Sequence, residues 1–219
     1  MKSLIVFAAA LVSASAILAA EKGDVKGAAE KLAGSDNYSW TSTMESPQFS
    51  PPPSQGKAQK DGLVSLEVSM QDNKVESFAK DGKGAIKTED GWLSLDEAAK
   101  AEGGDGGFNF SRFMAMRLLN FKAPAVQAGE LTEEGAKGLM TMGGRRGGQG
   151  QPPPISNAKG TVKFWVKDGV LTKYVTKVTG TMKNRDGDDM DIDRTTTIEI
   201  KEVGTTKINV PDDAKKKMT

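Results

Sequence analysis

The sequence predicts an α+β fold: a curved antiparallel sheet, or half-barrel, of about nine strands with helices covering its concave face. Three observations carry this. Apolar and polar residues alternate with period two in several short segments, giving each one oily and one wet face. Asp-Gly and related turn pairs join those segments at close spacing, which makes neighbours antiparallel. The helical segments cluster and do not alternate with the strands, so a parallel α/β sheet is not implied.

The chain opens on an apolar leader. Met1-Lys2 gives a positive start, Leu4 to Leu18 an alanine-rich apolar run, and small residues follow. This is the pattern of a secretory signal peptide over residues 1–20. Cleavage is expected after Ala20, with Ala16 the other choice. An uncleaved anchor is the competing reading, but the run is short for the roughly 20 residues that a span needs. Residues 21–219 then read as one domain, long enough to bury a core. Without the leader the charges balance, 29 of each sign, which is not the basic footprint of a nucleic-acid binder. The chain has neither cysteine nor histidine. That excludes disulfides, thiol nucleophiles and a lipid-modified cysteine, and it removes the commonest general base and transition-metal ligand. An exported soluble protein, periplasmic or secreted, is expected.

Asp24 to Leu32 has helical spacing, with Val25, Ala28, Ala29 and Leu32 on one side and Gly34 as the stop. Tyr38–Glu45 is the first strand, with Tyr38, Trp40 and Met44 on one face. Pro47 and Pro51-Pro52-Pro53 predict an irregular crossing from Ser46 to Lys60. Leu63–Met70 alternates clearly, Val64, Leu66, Val68 and Met70 opposing Ser65, Glu67 and Ser69. Lys74–Lys80, Gly84–Thr88 and Trp92–Leu95 follow across Asp72-Asn73, Asp81-Gly82 and Asp90-Gly91, a meander. Phe108–Phe121 reads as a helix apolar over much of its surface, suited by its methionines and phenylalanines to an adaptable contact. A second helix is expected from Thr132 to about Met142. The segment 143–158, rich in glycine, arginine and proline, reads as a mobile loop.

The C-terminal third carries the strongest pattern. Val162, Phe164 and Val166 alternate with Thr161, Lys163, Trp165 and Lys167. Asp168-Gly169 then turns the chain into Val170–Thr181, which sets Tyr174, Thr176 and Val178 against Val175, Lys177 and Thr179. Ile192–Lys201 places Ile198 and Ile200 opposite Thr197, Glu199 and Lys201. A short last strand, Lys207–Val210, is expected before Pro211.

Two stretches, KGTVKFWVKDGVLTKY (Lys159–Tyr174) and RTTTIEIKEVGTTKINVPDDAKK (Arg194–Lys216), resemble the LolA/LppX-type periplasmic carriers of lipoproteins and lipids. The chain is similar to a soluble member of that superfamily lacking the lipobox cysteine. The resemblance implies a half-barrel with an acyl-chain cavity on its concave side. Its lining would be Tyr38, Trp40, Val64, Leu66, Val68, Met70, Val162, Phe164, Val166, Ile198 and Ile200, and its lid Phe110, Phe113, Met114 and Leu118. The implied partner is a lipid or acylated protein, with an envelope protein or membrane surface as a further contact and no nucleic acid. The competing reading of the same residues is a packed core with no cavity, in an envelope structural or interaction protein.

Other motifs are weaker. The carboxylates of Asp186, Asp188, Asp189, Asp191 and Asp193 suit either a solvated hairpin turn or calcium, which takes six to eight oxygens. Arg185 and Arg194 flank them. Arg145-Arg146 among glycines reads as a flexible loop or a contact for anionic headgroups. No nucleophile motif, zinc motif, P-loop or dinucleotide fingerprint is present, so no enzyme activity, cofactor or metal is expected. A carboxylate hydrolase stays the remote alternative, and it would need two carboxylates about 5–10 Å apart across a polar cleft.

Overall fold

The computed structural model describes residues 22–47, 50–70, 73–100, 133–141, 155–183 and 187–219. The leader, the Phe108–Phe121 helix with all four lid residues, and residues 143–154 lie outside this set. The elements are α1 (Lys22–Ala33), β1 (Asn37–Glu45), β2 (Ser54–Gln59), β3 (Val64–Met70), β4 (Asn73–Lys80), β5 (Lys83–Thr88) and β6 (Gly91–Ser94), then α2 (Leu95–Lys100) and α3 (Glu133–Thr141), then β7 (Ile155–Lys167), β8 (Val170–Lys183), β9 (Asp189–Lys201) and α4 (Asp212–Lys217). The nine strands form one antiparallel sheet in the order β6-β5-β4-β3-β2-β1-β9-β8-β7. The sheet is curved and not closed, an α+β fold as expected.

Local chemistry sets the hairpins. Asp81 and Gly82 have φ of 52° and 77°, and Asp168 and Gly169 have 53° and 70°. Two consecutive positive φ values make the two-residue turn whose twist matches the strands it joins. A bulge between Trp165 and Val166 leaves Thr172 as an extra residue on β8, so Leu171 pairs with Val166 and turns inward.

Register then sorts the side chains. Directly paired residues of an antiparallel sheet share a face. One row runs Ile200, Trp40, Gly56, Leu66, Ser77, Ile86 and Leu93. A second runs Phe164, Tyr174, Ile198, Ser42, Ser54, Val68 and Val75. These rows define the inner face. Val25, Ala28 and Leu32 of α1 bury against its β1, β7, β8 and β9 part. Leu95 and Ala98 of α2 cover Leu66, Val68 and Ile86, and Ala136 and Met140 of α3 cover Ala158 and Val178.

The structure corrects four expectations. The Ser46–Lys60 stretch is not irregular throughout: Ser54–Gln59 pairs on both sides as β2. Its inner residues Ser54, Gly56 and Ala58 are too small to give a hydrophobic signal. Lys207–Val210 is not a strand. Ile208 and Val210 pack with Phe78 and Ala85 on the outer face, and Pro211 precedes α4, whose Ala214 joins them. Part of the sheet is therefore covered on both faces. The strand at Trp92 stops at Ser94, because Ser94 and Glu97 form a capping box that starts α2: the Glu97 N–H donates to Ser94 Oγ at 3.1 Å and the Ser94 N–H to Glu97 Oε2 at 2.7 Å. Finally, β7 begins at Ile155, inside the segment read as a loop.

The two outermost strands are protected differently. Lys217 of α4 reaches Glu97 of α2 at 3.0 Å, so the helices on the two faces close around β6. The longer β7 carries Lys159, Lys163 and Lys167 and a bulge between Ser156 and Lys159, which discourage further strand pairing.

Two tests follow from this packing. A Cβ built on Gly56 would lie 2.0 Å from the Trp40 ring, whereas one on Gly27 of α1 would meet nothing within 4 Å. Gly56→Ala is expected to destabilise by about 1–3 kcal/mol through overpacking, and Gly27→Ala to stabilise by up to about 1 kcal/mol, both read from urea unfolding. The Ser94 backbone N–H, with Lys217 and the Ser94 hydroxyl, lowers the pKa of Glu97 from 4.5 to about 2. A depressed carboxylate pKa adds stability above the ordinary value and loses it as pH falls. Thermal midpoints should therefore drop more between pH 4.5 and 2 in the natural chain than in Glu97→Gln.

Candidate functional site

The inner face is the candidate site, and it is built from the middle of the sheet outward. Strands β1 and β9 supply Tyr38, Trp40, Ile198 and Ile200, all buried. The β7–β8 hairpin adds buried Phe164 and half-buried Val162 and Val166. Strand β3 adds half-buried Val64 and buried Leu66 and Val68. Met70 closes β3 opposite Asn73; its side chain lies outside the described set. The ten described strand positions singled out from the sequence thus share one face.

They do not form one uniform floor. Trp40, Phe164, Ile198 and Ile200 belong to the cluster under α1. Leu66 and Val68 belong to a separate cluster under α2. Between them the second row shrinks to Ser42 and Ser54. The aromatic rings sit together without stacking face to face: Tyr38 and Trp40 centroids are 5.8 Å apart, and Phe164 and Tyr174 are 6.2 Å apart. The last turn of α1 is tied down where Lys31 Nζ donates to the Asp168 carbonyl at 3.1 Å, across the hairpin turn.

Three contributors escaped the sequence reading. Leu171 is fully buried because of the bulge, which simple alternation does not reveal. Tyr174 lies on the inner face opposite Phe164 and Ile198, legible only once the hairpin register is known. Arg194, noted in the sequence only as a flank of the acidic turn, lies opposite Val178, and its Nη2 donates to the Leu139 carbonyl in the last turn of α3. That bond satisfies a helix-end carbonyl and sets a cation against the negative end of the helix dipole. Burial lowers its pKa.

The acidic segment spreads its carboxylates along a strand. Asp189 pairs with Lys183 at 2.8 Å and Asp193 with Lys177 at 3.3 Å, and Thr181 donates to Asp191 at 3.2 Å. Among the described residues no three carboxylates converge on a point that could hold a metal. A depression of about 430 Å³ lies on the outer side, lined by Leu63, Val210 and Met218 with Lys80, Lys83 and Lys215. Two of these lysines already pair, Lys80 with Asp61 and Lys215 with Asp212. It shares no residue with the inner face.

The site is thus an apolar, aromatic sheet face crossed by a few hydroxyls, in an open antiparallel sheet, the architecture of a binding or packing surface. No family model matches this chain, and no curated protein matches it significantly. Among the described residues no helix is long and apolar enough to cross a membrane.

Burial raises the pKa of Tyr38 from 10 to about 12, and burial with the neighbouring Tyr38 raises that of Tyr174 further. A phenol pKa raised by folding leaves stability untouched below the unfolded value and removes it above. Stability should therefore fall from pH 10 to about 12, and Tyr38→Phe should lessen the fall. Urea midpoints measured against pH check this.

Proposed function

We propose that this protein is an exported, soluble, non-enzymatic carrier or sensor of a lipid, a lipoprotein acyl chain or a similar amphiphile. The apolar chain would leave water for the inner face of the sheet. The observation that carries the reading is the convergence of Tyr38, Trp40, Val162, Phe164, Ile198 and Ile200 on one face of an open sheet. Each methylene buried there is worth roughly 0.8 kcal/mol, so a long chain binds well with few polar contacts. The apolar leader and the resemblance of the C-terminal hairpin to the LolA/LppX-type carriers support the same reading.

A second reading rests on a specific observation. Val25, Ala28 and Leu32 of α1 already pack on this face. A face filled in this way suits an envelope structural or interaction protein with a solid core.

Native mass spectrometry of the mature protein, purified from its host without detergent, separates the two. A co-purifying lipid or acylated peptide is expected. Val162→Lys should abolish it, because Val162 is a half-buried inner position at which a lysine stem can lie along the apolar surface while its charge reaches water. The fold should survive that change. A clean apo mass, with no uptake of added phospholipid or lipopeptide, would leave the structural reading standing alone.

A further inference from the structure

Lysines on the outer face of the β7–β8–β9 part of the sheet fall into two groups. Those of β8 have partners on β9: Lys173 pairs with Glu199 at 3.7 Å, Lys177 with Asp193 at 3.3 Å and Lys183 with Asp189 at 2.8 Å. Those of β7 do not. Lys159, Lys163 and Lys167 are exposed, and among the described residues none of them makes an ion pair or a side-chain hydrogen bond. They recur every fourth residue of an outermost strand, so all three share the outer face, about 13 Å apart along it. The strand carries no acid of its own, and Asp168 follows in the turn. Trp165 stands on the same face between Lys163 and Lys167, half-buried, with Lys173 Nζ 5.4 Å from its ring centroid. Protection of the sheet edge accounts for the lysines. It does not account for an indole set between two of them at the rim of the sheet.

We propose that the outer side of β7 is a docking surface for an anionic phospholipid bilayer, with Lys159, Lys163 and Lys167 at the headgroup phosphates and Trp165 at the level between headgroups and acyl chains. The three cations form a line about 26 Å long. A line spreads charge where a single small anion would need it focused, so it fits a continuous anionic surface. Lysine stems are long and flexible, and their ammonium groups reach phosphates without a fixed geometry. Indole rings favour the headgroup level of a bilayer, where one end is apolar and the other wet. An acidic protein surface would answer the lysines but gives no reason for the tryptophan among them. The surface lies on the opposite side of the sheet from the inner face, so this docking does not rest on the carrier reading.

The test uses the mature chain and sedimentation with vesicles, either phosphatidylglycerol and phosphatidylcholine in equal parts or phosphatidylcholine alone. The natural chain should bind the anionic vesicles more tightly than the neutral ones by at least about tenfold, and less so as salt rises. Lys159→Gln/Lys163→Gln/Lys167→Gln should weaken that binding by about a hundredfold, at about fivefold for each lysine. Lys83→Gln/Lys87→Gln/Lys207→Gln removes the same charge from exposed lysines elsewhere, and it should weaken binding by less than about threefold. Anionic vesicles should also shift the tryptophan emission to the blue. Trp165→Phe should lose most of that shift, because Trp40 is buried on the inner face and Trp92 packs against Phe78. No preference of the natural chain for anionic vesicles, or equal losses from the two triple variants, overturns the β7 assignment. An emission shift that survives Trp165→Phe overturns the placement of the indole in the bilayer. Retention on immobilised polyaspartate but not on vesicles, lost in the β7 triple variant, would give the surface to an acidic protein and overturn the bilayer assignment.

Discussion

One pairing makes this molecule a single sheet. Strands β1 to β6 form a chain of neighbours, and β7, β8 and β9 form another; only β1 against β9 joins them. That ladder runs from Ser39 opposite Lys201 to Glu45 opposite Thr195. Ser39 and Lys201 are 162 positions apart, so closing the ladder is the large chain-entropy step of folding. Its inner side is where Trp40, Ile198 and Ile200 meet, and α1 reinforces it from above. Its outer side is polar, Thr43 opposite Thr197 and Thr41 opposite Glu199. The apolar side therefore fixes the register, because a slip of one residue would turn Trp40 to water and Thr41 into the core.

Small residues in β2 are the second constraint. Trp40 needs space directly over its neighbour, and Gly56 provides it by having no Cβ. The same device recurs where Met140 of α3 lies over Gly180 of β8, and where Leu95 of α2 lies over Gly84 of β5. Each of the three covered regions of the inner face thus has a large side chain resting on a glycine. Such contacts bring helix or indole closer to the sheet than any side chain would permit, and they divide the inner face into separate clusters.

Much of this was legible in the sequence. Alternation in Tyr38–Glu45, Leu63–Met70 and Lys159–Lys167 named the inner residues of three strands, and Asp81-Gly82 and Asp168-Gly169 named their turns by a conformational requirement that few residues meet. What was not legible had physical causes. The inner positions of β2 are serine, glycine and alanine, so its membership depends on neighbours and not on its own hydrophobicity. The strand expected at Lys207–Val210 has a suitable alternation, yet its apolar residues Ile208 and Val210 both go to the outer face beside Phe78, so packing and not strand pairing holds it. The bulge at Thr172 decides the fate of Leu171, and a bulge is set by the facing strand. Arg194 sits on a strand whose other charges point outward, and only the α3 carbonyl above it accounts for its inward turn. The lid residues Phe110, Phe113, Met114 and Leu118 fall outside the described set.

A packed inner face is no bar to the carrier reading, and magnitudes show why. Three residues anchor α1 to the face: Val25, Ala28 and Leu32. Full burial of a valine or leucine side chain is worth about 1.5–3 kcal/mol, and alanine adds less. An acyl segment of about ten methylenes gains roughly 8 kcal/mol over the same kind of surface. The two contributions are of one size, so a chain can replace helix contacts on the sheet without a large net loss. The sheet itself need not change, since a ligand on the inner face leaves its backbone ladders untouched and keeps the same side chains turned away from water.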